Sequence, residues 1–483
     1  MILNKSNFKI SYIKFIWISI LLFINIVIIT LLYNYSFSDK IYSYLFIFDY
    51  IIAFLGIWYT SGKKITPFVL FYMTFGLFIG GRFIAVALSP YYDTLWDPTI
   101  FIRKFKPSNE LNQETFINII EFILFVSIGY IIIKKINIIK PSKKNYFDFS
   151  DKEKNILNKI LTYIFPILFI YIIYGSVKAF IEAISGGYLS LYEGQGADDE
   201  GGFVNSIFST LYSIFFGMAL AIGFNNNRKK YICLFVINAF IIMMVGSRGG
   251  FGASILLLLW IYSDTHKISI KKLATYGITS ILLLLFIFSF SIRGQAKGFS
   301  LDDLNLVLAT FFYGQGVSMM VFNVSKLVPS FPTLSYFTAV FPFAVPIYRI
   351  VSGEKLSSFD FSFSNYLSYY INPNLYFEGQ GLGWTILGDI YLLSFNSVVL
   401  FCLLALILGS GFAWVENKAK YHNFWKIFLY SFITNIVILP RGTIMRILPK
   451  ILPFAIYLLL FIMLIRLILN IKNRNKWTIS PVI

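Results

Sequence analysis

The stretch IKFIWISILLFINIVIITLLY, residues 13–33, decides the fold class. It holds one charge, Lys14, and one amide, Asn25, in 21 residues. About 20 consecutive apolar residues are what an α-helix needs to cross the hydrocarbon of a bilayer. Lys5, Lys9 and Lys14 lead into it and no small-residue cleavage site follows, so it reads as a retained signal anchor and the first transmembrane helix.

The same pattern recurs down the chain. Of the 483 residues, 57% are hydrophobic and 13% charged, with a mean hydropathy of +0.73. Soluble domains carry roughly 25% charged residues, and no aqueous fold buries this much apolar surface. Apolar segments fall at about 13–33, 43–60, 66–88, 116–133, 157–178, 205–224, 231–246, 251–262, 273–291, 385–412, 427–440 and 447–468. The expected fold is therefore an all-α polytopic membrane protein of about twelve transmembrane helices. Its domains are an N-terminal bundle of about nine helices (1–291), an extracytoplasmic segment (292–384), and C-terminal helices with a short tail (385–483).

A net charge of +18 would suggest nucleic acid as partner in a soluble protein. Here the basic residues sit in short runs between apolar segments, and topology is the better reading. With the N-terminus in the cytoplasm, the cytoplasmic connections hold most of the 41 Lys and Arg residues but five of the 23 Asp and Glu. That is a strong positive-inside asymmetry, and it places both termini in the cytoplasm. Cys233 and Cys402 fall inside apolar spans and read as core residues.

Three segments then face outward: Ser89 to Thr115, Ala179 to Val204, and Ile292 to Trp384. The last is long enough for a subdomain. Its interrupted apolar run, Leu301 to Val328, followed by Pro329, Pro332, Pro342 and Pro346, suggests helices lying along the membrane surface. Spans seven and eight are short and separated by Gly246-Ser247-Arg248-Gly249-Gly250, a broken helix of the kind that lines cavities. Gly-Gln-Gly turns recur at 194–196, 314–316 and 379–381.

Positive-inside bias should purge the outer face of arginine, yet Arg82, Arg103, Arg248, Arg293, Arg349, Arg441 and Arg446 lie there or within spans. Arg248, Arg293 and Arg441 share an Arg-Gly pair at the outer end of a span. Each could cap a helix and snorkel to headgroups. Alternatively, the planar guanidinium binds phosphate oxygens bidentately and the flanking glycine admits the ligand, which together argue for a lipid-linked diphosphate. Arg82 lies about 9 Å inside its span at 1.5 Å per residue. It reads either as a ligand or as one half of an ion pair with Asp49 or Glu121.

Both histidines, His266 and His422, fall in cytoplasmic connections, so outer-face chemistry must use carboxylates. Asp389 begins a span directly after Glu378-Gly379-Gln380-Gly381-Leu382-Gly383, and Glu378 is the reserve. Either could instead be a helix-start acid favoured by the macrodipole. Asp198-Asp199-Glu200 reads as a solvated glycine-rich loop and Asp302-Asp303 as a helix cap, so no metal is expected.

From Asn372-Pro373-Asn374 through Glu378-Gly-Gln-Gly-Leu-Gly383 to Gly388-Asp389-Ile390-Tyr391, the chain resembles the Wzy-type O-antigen and capsule repeat-unit polymerases. Ser-Arg-Gly at 247–249 and Arg-Gly-x-x-x-Arg at 441–446 fit the same family. The chain departs from that pattern with Trp384-Thr385 after the glycines and with Asp rather than Glu at 389.

The resemblance implies a GT-C-like fold in the bacterial inner membrane and metal-independent glycosyl transfer on the outer leaflet. A growing glycan on undecaprenyl diphosphate would be the donor and a single lipid-linked repeat unit the acceptor. Arg248, Arg293 and Arg441, with Arg446 and Arg82, would hold the departing diphosphate. Asp389 or Glu378 would take the acceptor proton, while Gly379, Gly381, Gly383 and Arg349 would line the substrate loop. No cofactor, nucleotide sugar or nucleic acid is called for. The implied partners are undecaprenyl-diphosphate-linked oligosaccharides, membrane lipids and a chain-length regulator protein.

A flippase or polysaccharide transporter has a similar helix count but needs neither the long outer segment nor arginines on one face. An O-antigen ligase or a membrane acyltransferase should carry an outer-face histidine.

Overall fold

A computed structural model describes residues 5–97, 100–102, 105, 107–135, 147–186, 202–245, 248–266, 268–289, 304–353, 356–477. Among these residues every regular element is helical. Arg103, Asp198, Asp199, Glu200, Arg293, Asp302 and Asp303 lie outside them.

The first half of the chain folds into helices α1 (Lys5–Asn34), α2 (Asp39–Thr60), α3 (Pro67–Phe78), α4 (Gly81–Leu88), α5 (Asn109–Ile133) and α6 (Asp151–Gly186). It continues through α7 (Gly202–Ala221), α8 (Asn225–Val245), α9 (Arg248–Thr265) and α10 (Ile270–Ser289). Beyond residue 303 come α11 (Leu304–Gln315), α12 (Val317–Ser325), α13 (Thr333–Val340), α14 (Ala344–Ser352), α15 (Phe363–Ile371) and α16 (Pro373–Phe377). The last helices are α17 (Ile386–Leu393), α18 (Val398–Ala419), α19 (Asn423–Ile438) and α20 (Ile451–Trp477), with three 3-10 turns between the last two.

Eight described helices are long and apolar enough to cross a membrane, or nine when the bent pair α3–α4 counts as one span. The expected twelve spans are not confirmed among the described residues. The polar start of α8, Asn-Asn-Asn-Arg-Lys-Lys, shortens its apolar part. Asn305–Ser325 is apolar enough to span, although it falls in the segment expected outside. The expected span 385–412 is broken, because Phe395 and Asn396 take left-handed backbone (φ 50° and 63°) and detach α17 from α18.

Lipid tails are as apolar as leucine, so helices in a bilayer associate through close packing and polar contacts rather than through water exclusion. The α5–α18 pair is built this way. A Cβ on Gly409 would lie 1.9 Å from the Val126 carbonyl oxygen, and one on Gly129 would lie 2.2 Å from that of Leu406. The Ser410 hydroxyl donates to the Gly129 carbonyl at 3.3 Å, and Asn417 Nδ2 to Ile133 at 2.9 Å. The hydrogen bonds, from Gly129–Ser410 to Ile133–Asn417, advance together along both helices, which therefore run in the same direction.

Their last turns meet in a buried ion pair, Lys134 with Glu416. Glu416 also accepts from the Phe68 amide at 2.8 Å and from the Tyr130 hydroxyl at 2.9 Å, satisfying an orphan donor at the start of α3. His266 and His422 lie at this end of the bundle, where Ser263 bonds the Ile65 carbonyl and His422 precedes α19. Gly217 makes a similar approach between α7 and α19, its Cβ position 2.0 Å from Ser431 Oγ. Cys233 is exposed on α8 rather than in the core, and Cys402 is partly buried.

Two neighbouring glycines test this packing. Gly409→Ala should cost about 1–3 kcal/mol through overpacking, read as a lowered melting temperature of the purified chain in detergent. Gly411, whose Cβ would meet nothing within 4 Å, is the control, and Gly411→Ala should leave melting unchanged or raised.

Candidate functional site

At the end of the bundle opposite Lys134 and Glu416, two turns far apart in sequence are bound together. The first is the glycine turn. Asn372 caps α16, its Oδ1 accepting from the Leu375 amide at 3.2 Å, with Pro373 at the first helical position. Gly379 and Gly383 then adopt φ of 80° and 78°, a conformation other residues enter at a cost. Helix α15 supports the turn: Ser368 Oγ accepts from the Leu382 amide at 3.1 Å, and the Ser364 hydroxyl donates to the Gly383 carbonyl at 3.1 Å. Glu378 is exposed and accepts from Gln380 Nε2 at 3.4 Å.

Trp384 follows, buried, stacked on Phe363 and edge-on to Phe331 at centroid distances of 5.9 and 6.0 Å. Its ring occupies the space a side chain at 388 would need, since a Cβ on Gly388 would lie 2.9 Å from Trp384 Cζ2. Thr385 caps α17 by accepting from the Leu387 amide at 3.3 Å. The indole N–H thus meets Asp389, donating to Oδ1 at 2.7 Å.

The second turn, 440–446, supplies the other two donors to Asp389. The Thr443 hydroxyl donates to Oδ1 at 3.3 Å, and the Ile444 amide donates to Oδ2 at 2.6 Å. The side chain of Asp389 is fully enclosed, with 0% of the residue exposed. Either side of this anchor, Arg441 and Arg446 are exposed. Arg441 Nη1 donates to Gln315 Oε1 at 3.2 Å, and its guanidinium lies 5.7 Å from the Phe78 ring centre.

Gln315 is placed by the close packing of Gly316 beside it. A Cβ on Gly316 would lie 2.2 Å from the Arg82 amide nitrogen, and one on Gly81 would lie 2.4 Å from the Phe312 carbonyl oxygen. The helices α4 and α11–α12 therefore cross almost backbone to backbone, and this crossing sets Gln315 beside Arg441.

Arg82 is 3% exposed and pairs with neither Asp49 nor Glu121, contrary to the expectation from sequence. Its Nη1 donates to the carbonyls of Leu95 and Asp97 at 2.6 and 2.9 Å, and the guanidinium stacks 4.4 Å from the Tyr313 ring centre. Backbone carbonyls and an aromatic face can satisfy a buried arginine without a carboxylate. Asp49 instead accepts from Asn25 at 2.8 Å, and Glu121 from Asn118 at 3.3 Å. Arg82 thus clamps the 89–97 segment onto the bundle.

Arg349, exposed on α14, donates to the Leu356 carbonyl at 3.3 Å. Arg248 opens α9, with its side chain outside the described residues. Gly381 has a Cβ position 3.6 Å from Ser368 Oγ, an ordinary contact.

Sequence reasoning missed Gln315, Thr443 and Lys326. The second Gly-Gln-Gly turn was the available signal for Gln315. Lys326 Nζ bonds Glu114 Oε1 at 2.9 Å and Asn118 Oδ1 at 2.5 Å and lies 5.0 Å from the ring centre of Tyr391 on α17, tying α12 to α5 and α17.

These observations define an all-helical, multi-pass membrane protein that exposes arginines beside a rigid glycine turn at one end of its bundle. The family model for O-antigen polysaccharide polymerase Wzy matches residues 13–473, nearly the whole chain, and the protein belongs to that family. It is accordingly a polymerase of glycosyltransferase type acting on lipid-linked oligosaccharides. No curated protein and no solved structure matches it.

The clamp made by Arg82 is open to a direct check. Arg82→Lys keeps the charge but loses the planar fork and ring stacking, and should lower stability by about 1–3 kcal/mol. Limited proteolysis of the purified chain should show faster cleavage within 89–108 than in the wild type.

Proposed function

We propose that the protein joins undecaprenyl-diphosphate-linked repeat units on the outer leaflet of the inner membrane, with both termini in the cytoplasm and a chain-length regulator as partner. The growing glycan is the donor and one lipid-linked repeat unit the acceptor. The acceptor hydroxyl oxygen attacks the donor's anomeric carbon, the bond from that carbon to the diphosphate oxygen breaks, and undecaprenyl diphosphate departs with the electron pair. Its negative charge is met by Arg441 and Arg446, with Arg248 and Arg293 completing the set, and the reaction needs no metal.

The acceptor's proton passes to a carboxylate. A general base must reach the proton it removes. Glu378 is exposed at the glycine turn whereas Asp389 is enclosed, which favours Glu378. Arg82, its guanidinium committed to the Leu95 and Asp97 carbonyls, is left out of the diphosphate set.

One observation carries the reading: two arginines stand exposed on a turn whose backbone is pinned from within, beside the glycine turn of the same end. Donors fixed before the charge develops cost no reorganisation when it does, and losing one such donor in other enzymes costs about 10²–10³ in rate.

Complementation of a polymerase-null strain tests it. Wild type should restore long glycans, whereas Arg441→Ala, Arg446→Ala, Arg248→Ala and Arg293→Ala should collapse the ladder toward single repeat units. Long chains in every arginine variant would sink the diphosphate assignment. A null strain that accumulates repeat units facing the cytoplasm would point to a flippase. Glu378→Gln should slow polymerisation by about 10²-fold in membranes supplied with donor and acceptor, with donor affinity retained.

A further inference from the structure

The carboxylate of Asp389 collects three donors from two segments that are separate in sequence. Trp384 belongs to the end of the glycine turn, while Thr443 and Ile444 belong to the arginine turn, 54 and 55 residues beyond Asp389. An ionised carboxylate offers roughly four acceptor positions. Three are occupied, and the group is sealed from its surroundings. A carboxylate so placed is poorly suited to meet an acceptor sugar. It is well suited to fix the backbone of residues 443 and 444, and hence the directions in which Arg441 and Arg446 leave the turn.

The support beneath it is specific. The indole reaches Asp389 because Gly388 leaves room for the ring and because Phe363 and Phe331 hold its plane. The Thr443 hydroxyl has a second partner, accepting from the Met445 amide at 3.2 Å, so one side chain orders the turn on both sides of Ile444. A shift of Trp384 must therefore be felt at residues 443–445.

We infer that Asp389 is a positioning residue that couples the glycine turn to the arginine turn, so that the geometry of the glycan-facing loop sets the affinity for the lipid diphosphate. This rests on the proposed diphosphate site at Arg441 and Arg446. Donor binding and donor release are then linked to the state of the glycine turn. A glycan that displaces Trp384 would loosen the arginines from the leaving diphosphate.

The test is a binding measurement on the full chain in lipid nanodiscs with undecaprenyl diphosphate bearing no sugar, with affinities expressed per folded molecule. Asp389→Asn should weaken binding about tenfold, and Trp384→Phe and Thr443→Val roughly threefold each. The Asp389→Asn/Thr443→Val double variant should weaken binding by less than the product of the two single effects, because the two residues share one contact. In turnover, Asp389→Asn should raise the donor KM more than it lowers kcat.

Wild-type diphosphate affinity in Asp389→Asn, with kcat abolished, would overturn the coupling and make Asp389 a base. Should that variant fail to fold, Thr443→Val, nearly the same shape without the hydroxyl, decides alone: unchanged affinity overturns the proposal. Arg441→Ala and Arg446→Ala separate the two levels. If both bind the diphosphate like wild type, the diphosphate site itself is wrong, whereas weakened arginine variants beside unaffected Trp384→Phe and Thr443→Val refute only the coupling.

Discussion

The closeness of α5 and α18 is the constraint on which the rest of the structure depends. Gly129 and Gly409 let the two backbones touch, and the Lys134–Glu416 pair closes one end of the seam. A buried ion pair adds little net stability against an apolar replacement, but removing one partner leaves an uncompensated charge and is costly. Its value here is register. Glu416 bonds Tyr130 of α5, Lys134 directly after it and the amide that begins α3, so three helices can dock at one offset along the bundle. With α18 fixed in this way, the bend at 394–397 fixes where α17 leaves it, and α17 carries Asp389.

From there the site is assembled by contacts between distant segments. Gly81 and Gly316 bring α4 to α11–α12, Gln315 meets Arg441, and Asp389 meets Thr443 and Ile444. Glycine serves two purposes along this chain of contacts. At 81, 316 and 388 it removes bulk so that another group can approach, whereas at 379 and 383 it allows positive φ. The distinction predicts which substitutions act through packing and which through backbone strain.

Much of the fold was legible in the hydropathy alone, because a bilayer demands long apolar helices and little else satisfies buried backbone groups. The breaks were less legible. At 394–397 the available mark is small: Asn396 enters left-handed backbone more readily than most residues and Ser397 caps α18, accepting from the Leu400 amide at 3.4 Å, but both sit inside an otherwise apolar run. Around Asn305–Ser325 the interrupted apolar run and the prolines at 329, 332, 342 and 346 suggest surface-lying helices, whereas the stretch is apolar enough to span and Gly316 within it serves the α4 crossing. At the site, the glycine turn and the exposed arginines were readable as motifs. The partner of Arg82 was not. A deep charge suggests an opposite charge, and nothing in the sequence announces that the carbonyls of the 89–97 segment and a tyrosine face will serve instead.

Asp389 shows the same limit more sharply. An acid near the start of a helix after a glycine turn is equally consistent with a base facing substrate and with an anchor facing inward. What separates the two is the company it keeps, and two of its three donors lie more than fifty residues away. Trp384 bears on this choice. A serine or threonine at 384 could not place an indole N–H over the bare Cα of Gly388, so the tryptophan and the aspartate make a matched pair: the shorter acid sits where the large ring can reach it. A matched pair of this kind argues for a carboxylate selected to hold a position rather than to exchange a proton.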